Sequence, residues 1–357
     1  MTATPIRREG HIVITGGAGF LGTNLAHALT ERGEDVVIFD NLSRLHVREN
    51  VGWLRQACGK RLSLRVGDVR DAQAVADVVR GARAVVHLAA QVAVTTSVDD
   101  PITDFDVNAR GTLNVLEAVR RQSPEAPLLF ASTNKVYGKL ISLDALEQQG
   151  SRYAPNDGCK LRGFDERTPL SLYSPYGCSK GSADQYVIDY AHIYGLKTAV
   201  FRMSCLYGPH QFGNEDQGWV AHFLISAMRG EPIAIYGDGN QVRDVLYADD
   251  AVSAYLLALD NAEAASGSVF NLGGGPKNTM SLRELLNYIA RMEGFAPLVS
   301  FHDWRPGDQP WYVSNTHAIE TALGWRALTD IKSGLEKLRQ WLSQSSVLQE
   351  RQHEAVA

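Results

Sequence analysis

Tyr176 and Lys180 stand four positions apart in the run YSPYGCSKG (173–181). On a helix that spacing puts the phenol and the ammonium on one face, one turn apart. A phenol ordinarily ionises near pH ~10, and a cation beside it stabilises the phenolate and draws that value towards neutrality. The pair is therefore suited to general acid–base work near pH 7. Tyr-x-x-x-Lys arises by chance in many helices, so its weight comes from its setting. Thr133, a hydroxyl residue, closes the apolar run PLLFAS (127–132) and opens TNKVYG upstream of the pair.

A second chemical pattern lies at the other end of the chain. TGGAGFLG (15–22) sits directly between the β-branched run HIVIT (11–15) and an apolar helical stretch, 20–32. Gly16 permits a tight turn, Gly19 keeps a side chain away from an approaching pyrophosphate, and Gly22 allows helix and sheet to pack closely. The helix start supplies free N–H groups and a favourable dipole. Phe20 and Leu21 belong to the same turn. Asp40 ends the second apolar run, about 20 residues on, where a carboxylate accepts the adenosine ribose hydroxyls and repels a 2′-phosphate, selecting NAD over NADP. Asn41, Ser43 and Arg44 follow in DNLSR. Asp68, with Val69, suits the adenine edge or else the cap of a helix at 71–80. Leu88, Ala89, Ala90 and Gln91 leave the fourth strand where cofactor and substrate meet. NAD is thus the expected cofactor, and its positive nicotinamide ring would favour the phenolate of Tyr176 further.

These residues need a frame. Short apolar runs at 11–15, 35–39, 62–66, 84–88, 127–132 and 197–202 alternate with helical stretches at 20–32, 71–80, 100–121 and 176–194. Runs without polar alternation indicate strands buried on both faces, hence a doubly wound parallel α/β sheet of the Rossmann type. His87, inside one such run, reads as a structural histidine. The rhythm breaks after residue 203. The expected division is an NAD-binding part at 1–203 and 245–272, a smaller α/β substrate lobe at 204–244 and 273–345, and a flexible tail at 346–357.

Composition narrows the class. The 357 residues are 45% hydrophobic and 21% charged, with a formal net charge of −5, so no basic face for nucleic acid or anionic lipid is expected. Cys58, Cys159, Cys178 and Cys205 have neither CxxC pairing nor metal-ligand spacing, so neither a metal nor a disulfide framework is expected. There is no apolar run of membrane-spanning length and no signal-peptide pattern, and the expected location is the cytoplasm.

The whole chain, roughly 10–345, resembles the extended short-chain dehydrogenase/reductases, the sugar-nucleotide epimerases and dehydratases. The resemblance rests on TGGAGFLG, DNLSR, HLAAQ (87–91), NARGTLNVLEAV (108–119), VYG, SPYGCSK, FRMSCLYGP (201–209), GDGNQVRDVLYADD (237–250), NLGGG (271–275) and RPGD (305–308). It implies a catalytic triad of Thr133, Tyr176 and Lys180. Tyr176 is the acid/base, Lys180 tunes it and holds the nicotinamide ribose, and Thr133 hydrogen-bonds the reacting hydroxyl. The longer runs QVAVTTSVDDP, STNKVYG and QFGNEDQGWV imply a nucleotide-sugar epimerase, at carbon 2 of a CDP-linked dideoxyhexose. A UDP-hexose 4-epimerase is the alternative, with a decarboxylase or dehydratase behind it. In the family's 4,6-dehydratases two carboxylic acids follow the threonine; here Asn134 and Lys135 stand there and cannot act as that acid–base pair.

A nucleotide sugar carries two phosphates, so the second lobe needs cations. Arg243 and Arg305 fit as charge-assisted clamps, although Arg243 could instead pair with Asp244 or Asp249. The resemblance gives Asp308 a nucleotide ribose. Gln217 and Trp219 read as a base- or sugar-lining loop, Thr95 as a sugar contact or helix cap, and Thr133 and Asn134 as sugar neighbours. The resemblance further implies a homodimer or higher homo-oligomer, through a four-helix interface built from 100–121 and 176–194.

Overall fold

The computed structural model describes residues 10–156, 163–305 and 307–348. Seven strands form one sheet: β1 (His11–Thr15), β2 (Val36–Asp40), β3 (Leu62–Val66), β4 (Ala82–His87), β5 (Leu128–Thr133), β6 (Thr198–Met203) and β7 (Ser268–Leu272). Their order is β7-β6-β5-β4-β1-β2-β3, with every pairing parallel. The chain winds outward one way from β1 to β3, then crosses and winds the other way from β4. The carboxyl ends of β1 and β4 therefore diverge at a topological switch point, where open α/β sheets bind ligands.

The apolar runs form central strands because both faces are covered. Ile12, Ile14, Ile38 and Val86 pack with the helices Phe20–Glu31, Val47–Cys58 and Ala248–Asp260 on one side. Val13, Val85, Leu128 and Phe130 pack with Ala72–Val79, Gly111–Gln122 and Ser174–Tyr194 on the other. β3, at the edge, alternates and is partly exposed. His87 is buried between the Thr15 hydroxyl at 2.6 Å and the Thr112 hydroxyl at 3.0 Å, which satisfies both ring nitrogens. The stretch expected as one helix at 100–121 has helical turns at Pro101–Phe105 and Gly111–Gln122, joined by a π-helical turn at Asp106–Arg110.

The second lobe is built on the strand Val242–Tyr247, paired with Cys205–Tyr207, Thr279–Ser281 and Trp311–Tyr312. The helices Trp219–Arg229, Leu282–Glu293 and Ile331–Gln344 cover it. Ser281 starts one of these with a capping box to Glu284.

Three expected boundaries move. The strand Val242–Tyr247 belongs to the small sheet, so the return to the large sheet begins with the helix Ala248–Asp260, which packs on Phe20–Glu31. The helix His317–Leu323, expected in the second lobe, buries Ile319 and Leu323 in the large sheet's core, followed by Trp325. The hairpin Leu146–Gln149 and Arg152–Pro155, expected with the first part, leans on the second, where Tyr153 N–H donates to Asn240 O at 2.9 Å. Of the expected tail, Ser346–Leu348 form a 3-10 turn with Val347 buried, and 349–357 lie outside the described residues, as do Cys159 and the N-terminal nine.

Candidate active site

The cleft at the switch point is lined by Gly16, Gly19, Phe20, Leu21, Gly22, Asp40, Asn41, Ser43, Arg44, Asp68, Val69, Leu88, Ala89 and Ala90. Gly16 has φ +68°, and a Cβ there would stand 2.7 Å from Ala89 N; a Cβ at Gly22 would stand 2.6 Å from Gly17 Cα. Glycine is needed at both for the turn to close. Gly19 meets only Gly16 O within 4 Å, so its bare Cα leaves room over the helix that follows. That helix has no side-chain cap and no acidic residue in its first turn, leaving its N–H groups available to a pyrophosphate. The cradle fits NAD.

Asp40 accepts the N–H of Ala18 at 3.1 Å and of Leu42 at 2.8 Å. Burial raises its pKa, against those two donors and Arg44. Arg44, lowered by burial, donates to the Gln217 side chain of the second lobe. The helix cap considered for Asp68 belongs to Asp71, which accepts from Gln73 and Ala74. Asp68 instead faces the cleft, where Arg70 beside it holds its carboxyl well below the usual range and Asn41 donates at 2.9 Å. Gln91 departs from expectation: Asn108 accepts its backbone N–H at 2.9 Å and donates to its carbonyl at 3.0 Å, so it turns under the loop while Val92 and Val94 form the wall.

Thr133 ends β5, and Tyr176 lies in the first turn of Ser174–Tyr194, held by its N–H to the Ser97 hydroxyl at 3.1 Å. Both side chains line the same cleft, where the Thr133 hydroxyl donates to Asn134 Oδ1 at 3.4 Å. Lys180 follows one turn on, buried, with Nζ 2.6 Å from Ala131 O and 4.1 Å over the Phe130 ring. The expectation that this ammonium draws the phenol towards neutrality fails in this arrangement. Nζ is spent on β5, and burial pushes Tyr176 up to about 12, with the neighbouring Thr133 opposing the shift. Burial likewise brings Lys180 down to about 7, with Asp184 and Asp104 opposing.

Beyond Tyr176 the cleft opens into a second cavity lined by Thr95, Gln217, Trp219, Tyr236, Arg243, Arg305 and Asp308. Arg243 is buried and donates to Val242 O at 2.9 Å. The carboxylates weighed as its partners are engaged elsewhere, Asp244 with Ser204 and Gly275 N–H, Asp249 with Lys337. Arg305, expected as a second clamp, is held by Glu215 at 2.7 Å and Asp216 at 3.5 Å and lies 3.6 Å over the Tyr236 ring. Its charge is already countered, whereas Arg243 meets no carboxylate among the described residues. Thr95 lies inside the helix Val94–Asp99 and caps nothing; its hydroxyl donates to Asp216 at 2.9 Å. Trp219 presents an indole N–H with no hydrogen-bond partner among the described residues, which favours a substrate acceptor there.

The model of the NAD dependent epimerase/dehydratase family matches residues 12–273. The chain belongs to this family. It is 41% identical to CDP-paratose 2-epimerase from Salmonella typhi over 339 residues, 93% of this chain and 99% of that protein. The UDP-glucose 4-epimerase of Thermus thermophilus, solved with NAD, superposes with a TM-score of 0.77 at 32% identity, covering 93% of this chain and 99% of that one. A dTDP-glucose 4,6-dehydratase from Streptomyces venezuelae, solved with NAD bound, gives 0.81 at 26% identity over 94% and 98%.

NAD is therefore the cofactor of this family member. The structure adds wall residues that local sequence did not mark, chiefly Lys135, Asp216 and Tyr236. Lys135 stood in view as a non-carboxylate in STNKVYG, whereas Asp216 and Tyr236 carry no local signal. Among the described residues no helix is long and apolar enough to cross a membrane, and no cluster of metal-ligating side chains occurs.

Proposed function

We propose that this enzyme epimerises a nucleotide sugar, at carbon 2 of a CDP-linked dideoxyhexose. The observation that carries the reading is that the hydroxyls of Thr133 and Tyr176 stand where the NAD cleft opens into a cavity walled by a buried arginine, Arg243, that has no carboxylate partner among the described residues. The 41% identity to a CDP-paratose 2-epimerase supports the choice of carbon and base. NAD⁺ supplies, when bound, acceptance of a hydride from the sugar carbon and its return to the other face. Thr133 orients the sugar hydroxyl, and Tyr176 takes its proton and later gives it back. Lys180, one helical turn from Tyr176, would hold the nicotinamide ribose, and the positive charge of the bound nicotinamide would favour the phenolate. Arg243 holds the diphosphate while the ketosugar turns. Asn134 and Lys135 offer no carboxylate pair, so the ketone has no route to elimination.

The exposed apolar side chains Ile102, Phe105, Ile193 and Tyr194, on the segments Pro101–Gln122 and Ser174–Tyr194, support a homodimer through a four-helix contact. A cytoplasmic setting is part of the same proposal.

The test is a panel of CDP- and UDP-sugars with product identification by NMR. Substrate deuterated at carbon 2 is expected to give product retaining the label there, with no solvent deuterium incorporated. Tyr176→Phe should lower turnover by about 10²–10⁴-fold. Conversion of a UDP-hexose at carbon 4 instead would replace this reading with the alternative, and solvent label would point to enolisation.

A further inference from the structure

Lys135 belongs to neither the catalytic set nor the clamps considered above, yet it stands on the wall common to both cavities. It lies on the 3-10 turn Asn134–Tyr137 directly after β5, and its backbone N–H donates to the Thr133 hydroxyl at 3.2 Å. Its carbonyl lies 3.4 Å from where a Cβ on Gly177 would be, so this turn abuts the helix residue next to Tyr176. The side chain runs the other way, across to the second lobe. There Nζ donates to Gly307 O at 3.1 Å and stands 3.9 Å from an Asp308 carboxylate oxygen, the outer limit of an ion pair.

Arg243 faces the same cavity. Lys135 is held below the ordinary lysine range first by burial, with Arg243 repelling it and Asp308 opposing the shift. Two cations that repel one another across a cavity, one without a carboxylate among the described residues and one with only a distant one, are stabilised together by an anion between them.

Resting on the function proposed above, we infer that Lys135 and Arg243 form a two-cation subsite for the sugar-bearing phosphate of the substrate. Lys135 thereby holds the anomeric end of the sugar beside Thr133 and Tyr176. A phosphate held there brings the carbon next to the anomeric one, rather than a distant ring carbon, to the reacting hydroxyls. A carboxylate at position 135 would repel the same phosphate, so the lysine favours this substrate pose as well as lacking the means to eliminate water.

The experiment compares nucleoside monophosphate with diphosphate binding to the NAD-loaded enzyme by calorimetry. CDP has the second phosphate and CMP lacks it, so a contact to that phosphate is read as a difference between the two ligands. Lys135→Gln is expected to weaken CDP about tenfold and CMP less than about twofold. Lys135→Arg, which keeps the charge, should restore CDP affinity to within about threefold of wild type. The CDP loss should shrink as salt is raised. A merely structural tie between lobes would weaken both nucleotides alike or lower NAD content, and that result, or unchanged CDP affinity in Lys135→Gln, overturns the inference. Should Lys135→Gln fail to fold, the Arg variant decides: a loss shared equally by CMP and CDP counts against it. If the wild type binds none of CDP, UDP or dTDP, the proposed function fails and this inference with it, whereas wild-type binding with an indifferent Lys135 sinks the inference alone.

Discussion

Replacing Asp184 tests what holds the catalytic helix against β5 and β6. Asp184 follows Lys180 by one turn and is fully buried. It accepts the Ser132 hydroxyl at 2.7 Å, Arg202 Nε at 3.0 Å, Arg202 Nη2 at 2.8 Å and Gln185 Nε2 at 2.9 Å. Arg202, 4% exposed, donates in turn to the Tyr137 hydroxyl at 3.2 Å, and the Asp184 carboxylate raises its pKa despite burial. Asp184→Ala leaves a guanidinium in the interior without its counter-charge and orphans the serine beside Thr133. Removing one partner of such a pair costs about 3–5 kcal/mol. Arg202→Met should cost a similar amount, because Asp184 is then the uncompensated charge. The double variant Asp184→Ala, Arg202→Met removes both buried charges, so its loss should be at least about 2 kcal/mol smaller than the sum of the single losses. Urea unfolding of the four proteins, followed by fluorescence and circular dichroism together, measures the cycle. Single losses under about 1 kcal/mol, or losses that simply add, would refute the reasoning that this bridge acts as a buried, coupled unit.

Two further outcomes are expected. Lys180 titrates at about 7 in the folded chain against the ordinary 10.5. Between those values the unfolded chain binds more protons, so stability should rise from pH 7 to pH 9, and the full cost of burying the charge should be felt below pH 7. The rise should flatten in Lys180→Met, and equal slopes in the two proteins would contradict the assignment. Light scattering at micromolar concentration should return the mass of two chains, and Ile102→Asp with Ile193→Asp should return one; a wild-type monomer would rule out the four-helix contact.

The chemistry-bearing patterns were legible because each is local. A glycine turn between strand and helix, a carboxylate ending the next strand, and a Tyr–Lys pair one helical turn apart fix their own geometry through backbone periodicity. The doubly wound sheet was legible for the same reason, since strands covered on both faces read as unbroken apolar runs. What depends on distant segments was not. The strand Val242–Tyr247 and the helix His317–Leu323 have ordinary local patterns, and only packing assigns one to the small sheet and the other to the large core. The cap at Asp71 rather than Asp68 turns on where the helix begins, which local propensity leaves open by a few residues.

Electrostatics belongs wholly to the tertiary structure. Sequence spacing puts Lys180 beside Tyr176, but Ala131 O decides where the ammonium points, and burial decides that the phenol holds its proton. Arg243 and Arg305 read alike as cations, yet Glu215 and Asp216 counter Arg305, and among the described residues no carboxylate counters Arg243. Lys135 marks the limit most sharply. Its partner Gly307 lies 172 residues along the chain, a distance no periodicity spans. The sequence by itself determined that the chain carries a glycine turn between strand and helix and a Tyr–Lys pair one helical turn apart. Folding decided which charges are left without partners, because desolvation and pairing are properties of the assembled interior and not of neighbouring residues.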